Sequence, residues 1–186
     1  MNHPDVASPE QNMTLERLTS LYELIRRMNS VDDLQELLNF VIDRAMKLTG
    51  GRQGVLLLTD EYDGAPKKVA AVLGQELENS DLQRILKSVS TTVMLNVLDK
   101  GQPQLVADLP GDRRFEGHVS HDTLELKQVR SVLAVPLKTD ADTVGMIYVD
   151  DPQKATFDQE DLEFLSAFAS QAAIAIHRAR AHQRQI

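Results

Sequence analysis

Residues 129–186 read VRSVLAVPLKTDADTVGMIYVDDPQKATFDQEDLEFLSAFASQAAIAIHRARAHQRQI, and their patterning decides the fold. Two β-rich runs, 129–137 and 143–150, flank the polar residues 138–142, which is the pattern of a β-hairpin. Pro152 has no N–H to give to a ladder and ends the second run. The sequence Thr156-Phe157-Asp158-Gln159-Glu160-Asp161 then opens a helix. Thr156 with Gln159, or Asp158 with Asp161, can satisfy its first free N–H groups as a capping pair. Leu162, Leu165, Phe168, Ala169, Ala172, Ala173, Ile176 and Ala179 recur at helical spacing and give this helix one apolar face for the sheet. Its alanines let a neighbouring helix come close. Ile176, Ala179, Arg180, His182 and Arg184 are expected to run past a sheet of ordinary strand length.

Working back toward the N-terminus, residues 104–107 form a short strand, and 108–128 is a polar, irregular stretch with one short helix expected near 120–126. A third helix opens at Ser80 or Asp81 and runs through about Leu98, closed by Gly101 and Pro103. Strands are expected at 53–59 and 67–73, around a turn at Tyr62-Asp63-Gly64. A second helix takes Ser30 as its N-cap and ends at Gly50-Gly51. The first helix starts at Thr14, with Leu15, Leu18, Leu21, Tyr22, Ile25 and Met28 at three- and four-residue spacing. Residues 1–13 read as a flexible tail and 14–186 as a single domain. Short hairpin strands beside grouped helices argue for an α+β architecture over a βαβ-wound one.

Four groups of residues carry a resemblance to a known family. They are RSVLAVPL at 130–137, GMIYVD at 145–150, Phe157 with Glu160-Asp161-Leu162, and ASQAAIAI at 169–176. Together they resemble the C-terminal part of a GAF domain, a regulatory module of signalling proteins, and the likeness extends over about 15–176. The resemblance implies an antiparallel sheet of five or six strands. It places the terminal helices on one face and a ligand pocket on the other. It also implies a homodimer in which Leu15, Leu18, Tyr22 and Ile25 of one chain pack with the terminal helices of another, and an effector domain in the same or another chain.

Composition narrows the chemistry. A chain of 186 residues with 42% hydrophobic content can bury a sizeable core. A net charge of −8 disfavours a general nucleic-acid clamp. With no cysteine there is no disulfide, thiolate metal site, cysteine nucleophile or thioether-linked chromophore, and the cysteine-dependent methionine sulfoxide chemistry of some GAF-like proteins is excluded too. No apolar run approaches a membrane span and no signal pattern opens the chain, so a cytoplasmic location is expected. No catalytic constellation stands out. Asp150-Asp151, Asp60-Glu61 and the Asp140/Asp142 pair lie at strand ends or turns and read as solvated turn chemistry. Ser90, Thr91 and Thr92 have no His or Lys at helical spacing to activate them.

The candidate binding residues gather around the irregular stretch, since loops on a rigid sheet are where binding groups concentrate. Asp108, Arg113, Phe115, His118 and His121 lie within it, and the family resemblance makes that stretch the cap of the pocket. Arg113 or Arg114 can pair bidentately with an anionic group, and Phe115 can stack on a flat ring. Thr91, Thr92 and Leu95 are expected on the inner wall of the third helix, and Tyr148 on the second hairpin strand completes the set. His118 and His121, three apart, share a face if helical, which opens a haem or iron reading. Cyclic-nucleotide GAF domains often carry an Asn-Lys pair, then Phe and Asp-Glu. Here the pair is Asp150-Asp151, with Phe157 and Asp161 kept and Leu162 in place of Glu. The expected function is a non-catalytic, small-molecule-sensing regulatory domain of a bacterial signalling or transcription-regulatory protein. A ligand-free dimerisation module and a haem or iron redox sensor are the alternatives. The former predicts a pocket filled by Phe115, Met94, Met146 and Tyr148.

Overall fold

A computed structural model describes residues 8–27, 33–59, 66–72, 90–115 and 129–185. Among them run helices α1 (Pro9–Arg27) and α2 (Leu34–Thr49), strands β1 (Gln53–Thr59) and β2 (Pro66–Val72), and helix α3 (Thr91–Lys100). Strand β3 (Gln104–Val106), two 3-10 turns (Leu109–Gly111 and Arg113–Phe115), strands β4 (Ser131–Lys138) and β5 (Thr143–Asp151) and helix α4 (Gln159–Gln185) follow. The five strands form one sheet in the order β2-β1-β5-β4-β3, with every neighbouring pair antiparallel. The α+β class, the five-stranded sheet and the C-terminal hairpin are as the sequence predicts. A side chain at Gly145 would run into the Leu57 carbonyl, so glycine is what allows β5 to lie against β1 there.

Strand periodicity sorts the residues onto two faces. Leu56, Leu58, Leu133, Val135, Ile147 and Val149 join the core formed with α2 and α4. Val55, Leu57, Val132, Ala134, Met146 and Tyr148 join a second core with Val93, Met94 and Val97 of α3 and with Leu109 and Phe115. Helices α1 and α2 both contact α4, so the terminal helices lie together on the first side.

The helix boundaries show which local signals win. Helix α1 begins at Pro9, not Thr14, because Ser8 and Gln11 form a capping box: the Ser8 N–H donates to the Gln11 side chain (2.9 Å) and the Gln11 N–H to the Ser8 hydroxyl (3.3 Å). Pro9 occupies the first helical position, where its missing N–H is harmless. Residues 9–13 are therefore helical and part of α1. The cap of α2 is Asp33, whose carboxylate accepts from the Gln35 N–H at 2.8 Å, and not Ser30, which lies outside the described residues. Helix α3 starts after an N-cap at Ser90, so Ser90 and Thr91 are not mid-helix. Gly50 and Gly101, at φ 72° and 62°, end α2 and α3 in the left-handed conformation that glycine adopts freely. The expected opening of the third helix at 80–81 and the short helix near 120–126 lie outside the described residues.

At α4 the Asp158/Asp161 alternative holds. The Asp161 N–H donates to Asp158 (2.9 Å) and the Asp158 N–H to Asp161 (3.1 Å). Asp161 also accepts from Arg17 of α1, whose guanidinium lies 5.1 Å from the centre of the Phe164 ring. Burial leads in raising the Asp161 pKa above the usual carboxylate value, against the opposing pull of the Asp158 N–H and of Arg17. The expected overhang starts later than predicted. Ile176 and Ala179 are buried in the helical-side core, and the Arg180 guanidinium donates to the Thr59 carbonyl at 3.1 Å. The end of β1 thus still supports α4 at that point, and the fully exposed run begins at Ala181.

Candidate functional site

Helix α3 packs against β3, β4 and β5 on the sheet face opposite the terminal helices, and the Ser90 backbone at its start interacts with the Tyr148 hydroxyl of β5. Ser90 is buried, and its hydroxyl accepts from the Val93 N–H at 3.4 Å. Beneath it, Tyr148 and Asp150 are two apart on β5 and therefore share this face. Tyr148 is wholly buried and Asp150 is 3% exposed. The Tyr148 hydroxyl interacts with the Asp150 carboxylate and with the Ser90 backbone, yet among the described residues neither the hydroxyl nor the Asp150 Oδ2 makes a hydrogen bond of ordinary geometry. Burial pushes the Tyr148 pKa well above its usual value, and the Asp150 charge pushes it further. Burial likewise raises Asp150 to about 7, with the Tyr148 hydroxyl opposing, Asp151 adding and Arg52 opposing. A buried polar atom without a partner costs about 1–3 kcal/mol, so native structures rarely keep one without a reason.

Asp150 was not anticipated. With Asp151 it reads as solvated turn chemistry at a strand end, but only Asp151 plays that part, accepting from the Gln153 N–H and the Thr156 hydroxyl. The alternation Met146, Tyr148, Asp150 along β5 was the signal that marks it as inward-facing.

The predicted residues separate into three groups. Tyr148 and Phe115 are buried together in the α3-side core. Asp108 and the arginines build the segment's frame. The Asp108 carboxylate accepts from Arg130 (2.7 and 3.2 Å) and pairs with Lys154 (2.8 Å), which joins the start of β4 to the β5–α4 connection. Lys154 first, with Arg130, holds its pKa below the ordinary value. Arg114, not Arg113, forms the fork: it donates to Asp112 and to the Leu105 carbonyl, and it lies 5.2 Å from the Phe115 ring centre. Arg113 is exposed. Leu95 is 48% exposed, so the inner wall of α3 is formed by Val93, Met94 and Val97 in its stead. Thr92 is half-buried, and Thr91 is the first residue of α3. His118 and His121 lie outside the described residues. Among those described, no group of three or more His, Cys, Asp or Glu side chains is arranged to hold a metal ion, and no helix is long and apolar enough to cross a membrane.

On the other side of the molecule α1 presents an apolar stripe that the described residues leave uncovered. Leu15, Leu18, Tyr22 and Ile25 are 64%, 59%, 63% and 46% exposed. Their 3-4-3 spacing is that of a coiled-coil seam.

Comparison with known proteins fits this architecture. The chain is 25% identical over 166 residues to an uncharacterized sensor-like histidine kinase of Chloroflexus aurantiacus, a match covering 89% of this chain and 26% of the relative. It is 23% identical over 171 residues to the sensor histidine kinase YhcY of Bacillus subtilis, covering 92% of this chain and 45% of that one. The chain thus spans less than half the length of these curated relatives. Among solved structures, the GAF domain of a phosphoenolpyruvate-protein phosphotransferase from Coxiella burnetii superposes with a TM-score of 0.68 at 19% identity, covering 91% of this chain and 98% of that one. The family model described as GAF domain matches residues 31–177, which spans α2 through most of α4. The chain belongs to the GAF family.

Proposed function

We infer that this domain is the non-catalytic input module of a cytoplasmic signalling protein. It senses a small molecule on the α3 face and reports through a homodimer built on its terminal helices. The observation that carries this reading is the α1 stripe. Four large apolar side chains in coiled-coil spacing are held outward on a helix whose inner side is pinned to α4. Monomeric proteins rarely leave such a patch uncovered, and a second copy of α1 covers it. Its likeness to part of two sensor histidine kinases supports a histidine kinase module as the output, and a transcription-regulatory module is the alternative output. A ligand that binds one packing of α1 and α4 better than another shifts the population toward it, and that difference in affinity is the signal.

One observation favours the ligand-free dimerisation module instead. Phe115, Met94, Met146 and Tyr148 are all buried in the α3-side core, as that alternative expects. Native mass spectrometry with sedimentation at tens of micromolar separates the two. The sensor reading expects a dimer carrying a reproducible extra mass, and monomers when Leu18→Lys and Tyr22→Lys are combined. A clean dimer that gains no mass from any offered metabolite favours the assembly module. A monomeric wild type contradicts both.

A further inference from the structure

A carboxylate placed out of water needs a cation or a set of donors. Among the described residues Asp150 has neither in full: its Oδ2 is buried and, like the Tyr148 hydroxyl it interacts with, makes no hydrogen bond of ordinary geometry. Among the described residues, Arg130 and Lys154 are committed to Asp108 and Arg114 to Asp112. Arg52 is exposed and acts on Asp150 only through its charge. The surroundings on this face are apolar, with Val55, Val132 and Met146 beside Tyr148 and α3 above. The chain as a whole carries a net charge of −8, so the domain's field also favours cations.

We propose that the α3 face binds a small ligand with a protonated nitrogen head group, an amine or amidine on a compact apolar body, which donates to Asp150 and to the Tyr148 oxygen. The assignment rests on the reading of the domain as a ligand sensor and adds the chemistry of the ligand. The head group supplies the missing counter-charge and both missing hydrogen bonds. The apolar body packs where the sheet offers Val, Leu, Ala and Met side chains. An anionic ligand of the same shape meets a like charge, while Arg130, Lys154 and Arg114 are already engaged by Asp108 and Asp112.

Three probes of one shape test this on the purified chain: benzamidine, benzamide and benzoate, followed by backbone amide NMR shifts. Benzamidine is expected to give saturable shifts centred on Val55, Val132 and Tyr148, with at least tenfold tighter binding than benzamide or benzoate. Asp150→Asn, which removes a buried charge at constant size, is expected to lose that tenfold preference, and Tyr148→Phe part of it. Benzoate binding as tightly as benzamidine, or benzamidine affinity unchanged in Asp150→Asn, overturns the assignment. So does the absence of any benzamidine shift. None of these results touches the sensor reading, which stands if native mass spectrometry finds a dimer with a bound compound of other chemistry and falls if it finds no bound compound or a monomer.

Discussion

The two faces of the sheet are built from the same strands and solve opposite problems. The helical side is continuous and dry. Leu133, Val135, Ile147 and Val149 meet an α4 whose Ala169, Ala172 and Ala173 allow close approach, and its main polar contact, Arg17 with Asp161, is paired. The α3 side is equally buried, yet it keeps a carboxylate and a phenol without partners. On the helical side the buried atoms without a hydrogen bond are the Nε atoms of Arg17 and Arg44, whose guanidinium groups are otherwise ion-paired, whereas the α3 side leaves a carboxylate oxygen and a phenol, a cost we attribute to function. Strained or unsatisfied groups at functional sites are the usual reason a sequence breaks its own packing rules.

Substitutions on the two faces should therefore move stability in opposite directions. Phe168→Ala removes a fully buried ring from the helical side and should destabilise by about 3–5 kcal/mol in urea unfolding. A loss under 1 kcal/mol would mean that this side is not the continuous core described. Asp150→Asn should stabilise, by on the order of 3 kcal/mol at pH 8 and by little at pH 4. The sign follows from the shift. The folded state holds the Asp150 proton up to about 7, whereas the unfolded chain releases it near the ordinary carboxylate value of 3.8. The folded state therefore binds more protons between those values, and its stability falls as pH rises through that window. The difference between variant and wild type should grow over the same range, and a pH-independent difference would break the contrast. Arg17→Met removes the cation from Asp161 and from the Phe164 ring, and partial exposure moderates the effect to roughly 1–2 kcal/mol. Hydrogen exchange should show that loss in α1 first, with the sheet unchanged.

Legibility in the sequence followed the same division. The hairpin and α4 could be read because local signals and tertiary packing agree there: alternation in the strands, a capping pair, and one apolar helical face. Helix α1 was legible in its stripe but not in its start, although Ser8-Pro9-Glu10-Gln11 spells out a capping box when read in full. The length of α4 in contact with the sheet was underestimated because strand length was the only guide. The reach of Arg180 to the Thr59 carbonyl is a tertiary fact. The binding face was hardest. Charged residues attract attention in an irregular segment, and there Asp108, Asp112 and Arg114 turn out to hold one another. Asp150 passed as turn chemistry because its neighbour Asp151 has that role. Period-two counting from Met146 and Tyr148 places it inside, but no local rule says that it lacks a partner there.

The central claim is that the α3 face keeps an uncompensated carboxylate for a ligand. Carbon-13 NMR of the Asp150 carboxyl across pH tests it directly, with and without saturating benzamidine. The account predicts a midpoint of about 7 in the free protein, moving down on binding as the cation stabilises the charged form. A midpoint in the ordinary carboxylate range near 4, unmoved by the probe, would show that Asp150 is already satisfied and would contradict the account.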